Sequence, residues 1–172
     1  QGDRGKETGE EEWPGMRILL WSHNTESESR ISPILASAGH VLFRETSLES
    51  LPTAARREEP HLVVLLPGTV DDEVRQAVKD LAEHPDTRWT PILLLASPKV
   101  ERSYLRTLLE EGASALITLD DDEELLRARL IAMERTVLQV ATLRSARLTD
   151  EGTGFYHKSF LLDQLEVFCR KQ

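Results

Sequence analysis

The chain has little cysteine, few aromatic residues and no long hydrophobic run. Its single cysteine, Cys169, excludes an internal disulfide and a zinc site built from cysteines, and it favours a reducing compartment. No apolar run approaches the roughly 20 residues that a membrane-spanning helix needs. The first fifteen residues are acidic and poor in apolar side chains, so no secretory signal is visible. We therefore expect a cytoplasmic protein that makes no contact with a membrane.

Positive charge is also scarce. The 172 residues contain 21 Lys and Arg against 30 Asp and Glu, a formal net charge of −9. Phosphate contacts need clustered Lys and Arg, so we expect no nucleic-acid partner. The length suits one domain with an appendage. Residues 1–15 show no periodicity and are predicted to be a disordered lead-in.

What the chain does have is an alternation of short apolar runs with segments of helical period. Strands are predicted at 16–21, 40–45, 60–68, 91–96 and 115–118. Helices are predicted between them, the first carrying Ile31, Ile34 and Leu35 and ending at Gly39, the others at 47–57, 71–84 and 100–111. Pro33 is expected to kink the first helix or to move its start towards Ser32. Five such strand–helix units predict a doubly wound parallel α/β sheet.

The last predicted helix is unusually long. Nothing interrupts 121–148, which corresponds to roughly 40 Å of helix. Apolar residues keep a 4-3-4-3 spacing along it, at Leu126, Leu130, Met133, Val137 and Val140. This spacing is typical of a coiled-coil seam, so we expect a homodimer that forms through the fourth and fifth helices and a helical linker at 136–149.

Four stretches resemble a response-regulator receiver domain over about 16–135. They are MRILLW in the first strand, REEPHLVVLLPG in the third, HPDTRWTPILLLAS before and in the fourth, and EEGASALITLDDDEELLRARL around the fifth. The resemblance implies the flavodoxin-like or CheY-like fold with strand order 2-1-3-4-5, followed here by an extended helix. It also implies a role in two-component signal transduction with other signalling proteins as partners.

The residues that a working receiver uses are replaced in this sequence. That family needs a phosphoacceptor Asp after the third strand, an acidic pair after the first strand for Mg²⁺, a hydroxyl after the fourth and a Lys after the fifth. The matching positions are Leu66 for the acceptor, Ser22 and His23 for the acidic pair, Ala96 for the hydroxyl and Leu119 for the Lys. The chain is therefore expected to be a pseudo-receiver with no catalytic residue, metal or cofactor.

The tail carries a second resemblance. The stretch DEGTGFYHKSFLLDQL at 150–165 resembles the opening of diguanylate cyclase (GGDEF) domains. Four positions match that pattern outright, namely Asp150, Thr153, Gly154 and Leu165. Phe155, Lys158 and Phe160 match in kind, whereas Gly152, His157 and Ser159 depart from it. Residues 150–172 are thus predicted to be a truncated start of a GGDEF-like domain. The metal-binding Asp and the Gly-Gly-Asp-Glu-Phe loop of that family would lie downstream, so these residues themselves are not expected to make cyclic di-GMP.

Several functions remain open on the sequence alone. The leading one is a phosphorylation-independent dimerisation module that positions an output domain, and the alternative is the regulatory fragment of a diguanylate cyclase. A nucleotide or flavin site in the polar loop at 22–27 is a third, although that loop lacks glycine. Asp71 and Asp72 are metal-ligand candidates, but capping of the third helix explains them as well. His23, as a lone histidine, is either a metal ligand or a surface or capping residue.

Overall fold

A computed structural model of the chain describes residues 15–68, 71–119 and 122–148. In the last helix the backbone is described to Leu148, and the side chains at 122–139 and at Ala141. Residues 1–14 of the predicted lead-in at 1–15 and the whole predicted GGDEF-like start at 150–172, with Asp150, Thr153, Gly154 and Lys158, lie outside these residues.

Strands and helices alternate along the whole described chain. The elements are β1 (Arg17–Ser22), α1 (Thr25–Ser37), β2 (Val41–Glu45), α2 (Leu51–Glu58), β3 (Leu62–Leu66), α3 (Asp72–Glu83), β4 (Ile92–Ala96), α4 (Arg102–Glu111), β5 (Ala115–Thr118) and α5 (Glu123–Leu148). The strands form one parallel sheet in the order β2-β1-β3-β4-β5. The predicted fold class and strand order are confirmed.

The central strand β3 is buried along its entire length, because helices cover both faces of the sheet. Alternate residues of β3 point to opposite faces. Val63 and Leu65 pack in a cluster with α2, α3 and α4, whereas Leu62, Val64 and Leu66 pack in a cluster with α1 and α5. The apolar run of the sequence therefore joins two hydrophobic layers.

Two helix starts show how local chemistry sets the boundaries. Asn24 caps α1 by accepting the N–H of Ser27 at 2.8 Å, so the helix begins well before Pro33 and contains it. The expected shift of the start towards Ser32 is wrong. Helix α2 begins only at Leu51, with Pro52 in its first turn, where its missing N–H is not needed.

Helix α5 uses most of the predicted seam inside its own domain. Leu126, Leu130 and Val137 are buried in the α1-side cluster, and Met133 packs against it. The assignment of these residues to an intermolecular seam is therefore corrected. The 4-3 spacing of a coiled coil also describes a helix that lies on a sheet, since both bury one stripe. The side chain of Val140 lies outside the description.

The rest of α5 continues past this contact. The helix has 26 residues, roughly 39 Å at 1.5 Å per residue, and it runs unbroken across the predicted boundary between receiver and linker at 135 and 136. That boundary stays a prediction. Within the described ranges, no helix has both the length and the apolar character needed to cross a bilayer.

Candidate functional site at the carboxyl edge of the sheet

The positions that match a receiver's reactive residues meet at one edge of the sheet. Ser22 and Leu66 end β1 and β3 and lie side by side in the strand register. Ala96 ends β4, and Leu119 follows β5 and donates its N–H to the Ala96 carbonyl at 2.8 Å. His23 donates its N–H to the Leu66 carbonyl at 3.0 Å. The carboxyl edge of a parallel sheet is where such folds bind ligands, so these five residues define the candidate site.

The floor of this site is hydrophobic. Leu66 has only 2% of its surface exposed, and Ala96 and Leu119 are buried as well. Leu66 and Leu119 belong to the same packed cluster as Leu126 of α5. None of these side chains can accept a phosphoryl group or ligate a metal. A carboxylate at Leu66 would lose its hydration without gaining a partner there, which costs free energy.

The hydroxyl at the first acidic position is used within its own turn. Ser22 Oγ donates to the carbonyl of Asn24 at 2.6 Å and accepts the Asn24 N–H at 3.3 Å. Because Asn24 in turn caps α1, the Ser22 side chain supports the start of the helix. In the polar loop considered as a nucleotide or flavin site, the Ser22 and Asn24 side chains are thus hydrogen-bonded to the backbone.

His23 lies over the turn that follows β3. Its exposed ring occupies the space that a Cβ atom on Gly68 would need. Within the described ranges, no group of three or more His, Cys, Asp or Glu side chains is placed to hold a metal ion. Mg²⁺ requires oxygen ligands in octahedral geometry, and an imidazole, an engaged hydroxyl and three aliphatic side chains do not supply them. The residues of this site therefore do not fit the metal of a working receiver.

One of the two acidic candidates next to the site, Asp71, has a structural role. The Asp71 carboxylate accepts the N–H of Glu73 at 2.8 Å and caps α3. The Asp71 carbonyl accepts a hydrogen bond of 2.8 Å from the hydroxyl of Tyr104 on α4. Burial raises the pKa of that hydroxyl, which keeps it protonated and able to donate. Capping, not metal binding, accounts for Asp71, and Tyr104 ties α4 to the loop after β3.

A second hydrogen bond to a backbone carbonyl lies on the other side of the site. Arg30 of α1 reaches across the sheet edge and donates from Nη1 to the carbonyl of Leu119 at 2.8 Å. Leu119 stands where a receiver has its Lys, so an arginine from another element holds this strand end in place. Neither Arg30 nor the Tyr104 hydrogen bond was predicted from the sequence. Both bonds end on backbone carbonyls, and a backbone acceptor leaves no sequence signal.

The structure is similar to solved receiver domains. It matches the chemotaxis response regulator CheY4 of Vibrio cholerae at 14% identity, covering 72% of this chain and 98% of that one with a TM-score of 0.57. It matches the receiver domain of a sensor histidine kinase from Pseudomonas aeruginosa, solved with magnesium in its active-site cleft, at 18% identity, 73% and 96% coverage and a TM-score of 0.56. It also matches NtrX from Brucella abortus at 18% identity and a TM-score of 0.60, covering 77% of this chain and 29% of that longer one.

These likenesses concern the fold. No protein-family model and no curated protein sequence matches the chain. At 14–18% identity the shared feature is the CheY-like α/β architecture, in which the five residues of the candidate site take the places described above. The chemistry of the site has to be judged from this chain's own side chains.

Replacing Gly68 with alanine tests the position of His23. The added methyl group would overlap the imidazole, so the ring must move away from the turn. Because the ring is exposed and can turn towards solvent, we expect Gly68→Ala to lower the free energy of unfolding by about 0.5 kcal/mol, and His23→Ala in the same chain to recover most of that loss. Urea unfolding of the wild type, both single variants and the double variant measures the coupling. Equal stability of Gly68→Ala and wild type would show that the ring does not rest on this backbone.

Proposed function

We propose that this chain is a phosphorylation-independent pseudo-receiver, a signalling module of the response-regulator type that pairs with a second copy and positions an output domain. The observation that carries the proposal is Leu66, an aliphatic side chain buried at the acceptor position and packed against Leu119 and the α5 helix. The single cysteine supports a cytoplasmic site of action. The module itself has no catalytic role in this proposal.

A physical argument connects the filled site to a fixed conformation. A phosphoryl group switches a protein only by binding one conformation more strongly than another. Here the strand ends offer it an aliphatic floor, and the contacts of Arg30 and Tyr104 already fix the surrounding elements. A phosphoryl group therefore has no contact here that would stabilise one conformation of the domain over another. With respect to phosphate, the domain holds a single arrangement and acts as a scaffold.

A phosphate mimic tests this part of the proposal. We expect beryllofluoride with Mg²⁺ to leave the amide NMR spectrum of the protein unchanged, because Leu66 offers no carboxylate for the mimic to bind. The same reagents added to a receiver that keeps its aspartate serve as the control and produce large shifts. Specific shifts at Leu66, Ala96 or Leu119 would contradict phosphate independence.

The pairing surface has to be sought outside the buried stripe of α5. In the described part of the chain, three large apolar side chains are exposed on the fourth and fifth helices: Leu109 of α4 at 37%, and Leu125 and Ile131 of α5 at 42% and 47%. Ile131 borders the cavity that α5 forms with α1, which leaves Leu109 and Leu125 for a contact made through α4 and α5. Exposed ion pairs contribute little to association, so apolar contacts such as these would have to supply most of it. A homodimer through α4 and α5 thus uses Leu109 and Leu125, with the protruding end of α5 extending the contact.

Charge substitution tests the dimer. Leu109→Lys combined with Leu125→Lys places two positive charges on the proposed surface, and we expect it to convert a dimer into a monomer in sedimentation velocity without lowering stability. Val41→Lys is the matched control, because Val41 is 49% exposed but lies on β2 at the opposite edge of the sheet. Unchanged sedimentation of the double variant, or an equal effect of Val41→Lys, would remove this interface.

The alternative function concerns a longer parent protein. The resemblance of 150–165 to the start of a GGDEF domain favours a diguanylate cyclase whose activity is regulated by the present chain. The residues that support it, Asp150, Thr153, Gly154 and Lys158, lie outside the described residues. The transcript beyond the Gln172 codon is the direct test. A downstream metal-binding Asp with a Gly-Gly-Asp-Glu-Phe loop supports the alternative, and their absence removes it.

A further inference from the structure

The amino end of β1 is held by two histidines. The N–H of Met16 donates to Nδ1 of His40 at 3.1 Å, and the N–H of Arg17 donates to Nδ1 of His61 at 3.0 Å. The carbonyls of the same two residues accept backbone N–H groups from the two neighbouring segments. Met16 accepts the N–H of Val41 at 2.9 Å, and Arg17 accepts the N–H of His61 at 2.8 Å. Every backbone group at this end of the strand is thereby satisfied.

Strand geometry explains why the arrangement occurs twice. Successive residues of a central strand direct their N–H and C=O groups to opposite neighbours. Met16 faces β2 and Arg17 faces β3. His40 lies immediately before β2, and His61 lies immediately before β3. A side-chain acceptor at these positions completes the hydrogen bonding where the backbone ladder ends. We call this pair of contacts the histidine clamp.

The clamp requires both histidines to be neutral. A ring nitrogen that accepts an N–H carries no proton, so each imidazole holds its proton on Nε2, a tautomer assigned from the hydrogen bonds. Protonation of Nδ1 would place a ring N–H against the backbone N–H that it now accepts, so two donors would face each other without an acceptor. The side chain of His40 is only 3% exposed. Burial and the charge of Arg17 lower the pKa of His61 below its usual value.

His40 also contacts the helix that leaves the domain. Its Nε2 lies 3.5 Å from Oε2 of Glu134 on α5. Both residues line a small cavity of about 60 Å³ between α1 and α5, where Arg127 is the other charged neighbour. The α1 side of that cavity is apolar, with Ile34 and Leu35.

The surroundings of His61 are different. The charged group beside it is Arg17, whose guanidinium donates to the carbonyl of Glu59 at 2.7 and 3.2 Å. A protonated His61 would therefore face a cation and a donating N–H, whereas a protonated His40 would face the carboxylate of Glu134. The two sides of the clamp are expected to respond to acid at different pH values.

We propose that the histidine clamp is an acid-sensitive switch, in which protonation releases the start of β1 and transfers His40 from the Met16 N–H to Glu134 on α5. Protons then reach the projecting helix through His40 without any phosphate. The switch rests on neither the filled acceptor site nor the dimer. A response to beryllofluoride would overturn the proposed function and leave the switch untouched.

Linkage gives the sign of the effect on stability. Because folding lowers the pKa of His61, the unfolded chain binds more protons near pH 6. The stabilisation that His61 contributes is complete above its unfolded pKa of about 6.5, and it is lost as the pH falls through the lower folded pKa.

Amide hydrogen exchange on the full chain tests the switch. We expect the protection factors of Met16 and Arg17, which correct for the intrinsic rate, to fall between about pH 7.5 and about pH 5, because a protonated Nδ1 can no longer accept the backbone N–H. Asparagine places its Oδ1 where Nδ1 stood but does not titrate. His40→Asn should keep Met16 protected at both pH values, and His61→Asn should do the same for Arg17. Glu134→Gln should move the loss at Met16 to lower pH.

A matched control is available in His84. Its Nδ1 also accepts a backbone N–H, that of Asp86 at 3.1 Å, but its side chain is 37% exposed and lies in a loop. His84→Asn should leave the exchange of Met16 and Arg17 as in the wild type. Undiminished protection of both amides at low pH would overturn the proposal. An equal loss of protection in the asparagine variants would overturn it too, because asparagine does not titrate.

Discussion

The burial of β3 on both faces is the constraint on which the rest of the structure depends. All five of its residues are buried, and they alternate between the two hydrophobic layers that hold the helices on the sheet. Leu66, the last residue of the strand, is apolar and buried like the other four. The edge at which such folds place their chemistry is consequently a continuation of the core, and the polar groups around it are used to fix helix starts and strand ends.

The two ends of the sheet therefore have opposite properties. At the carboxyl end, the side chains of Leu66, Ala96 and Leu119 are aliphatic and buried. At the amino end, His40 and His61 hold two backbone N–H groups through ring nitrogens that can accept them only when unprotonated. Under the proposed switch, sensitivity to pH lies at the amino end, and Glu134 of α5 is close enough to His40 to respond.

The fold was predictable from the sequence because apolar runs and helical periods alternate without ambiguity, and the positions of Ser22, Leu66 and Leu119 follow from that alternation. The seam at Leu126, Leu130 and Val137 was mispredicted, since a stripe that packs on a sheet has the same spacing as one that packs on a partner helix. The histidine clamp could not be predicted. It depends on the strand register and on which ring nitrogen meets a backbone N–H, and neither is visible in the sequence.

The carboxyl edge is a closed part of the core in this structure, and placing a carboxylate at Leu66 tests this most directly. The free energy of unfolding of Leu66→Asp is measured in urea at neutral pH beside that of Leu66→Met, which nearly conserves volume. We predict a loss of about 3–5 kcal/mol, or failure to fold, for the aspartate because it buries an unpaired charge, against less than about 1.5 kcal/mol for the methionine. An aspartate variant as stable as the wild type would contradict the claim, since it would show that the site still accommodates the residue a working receiver uses.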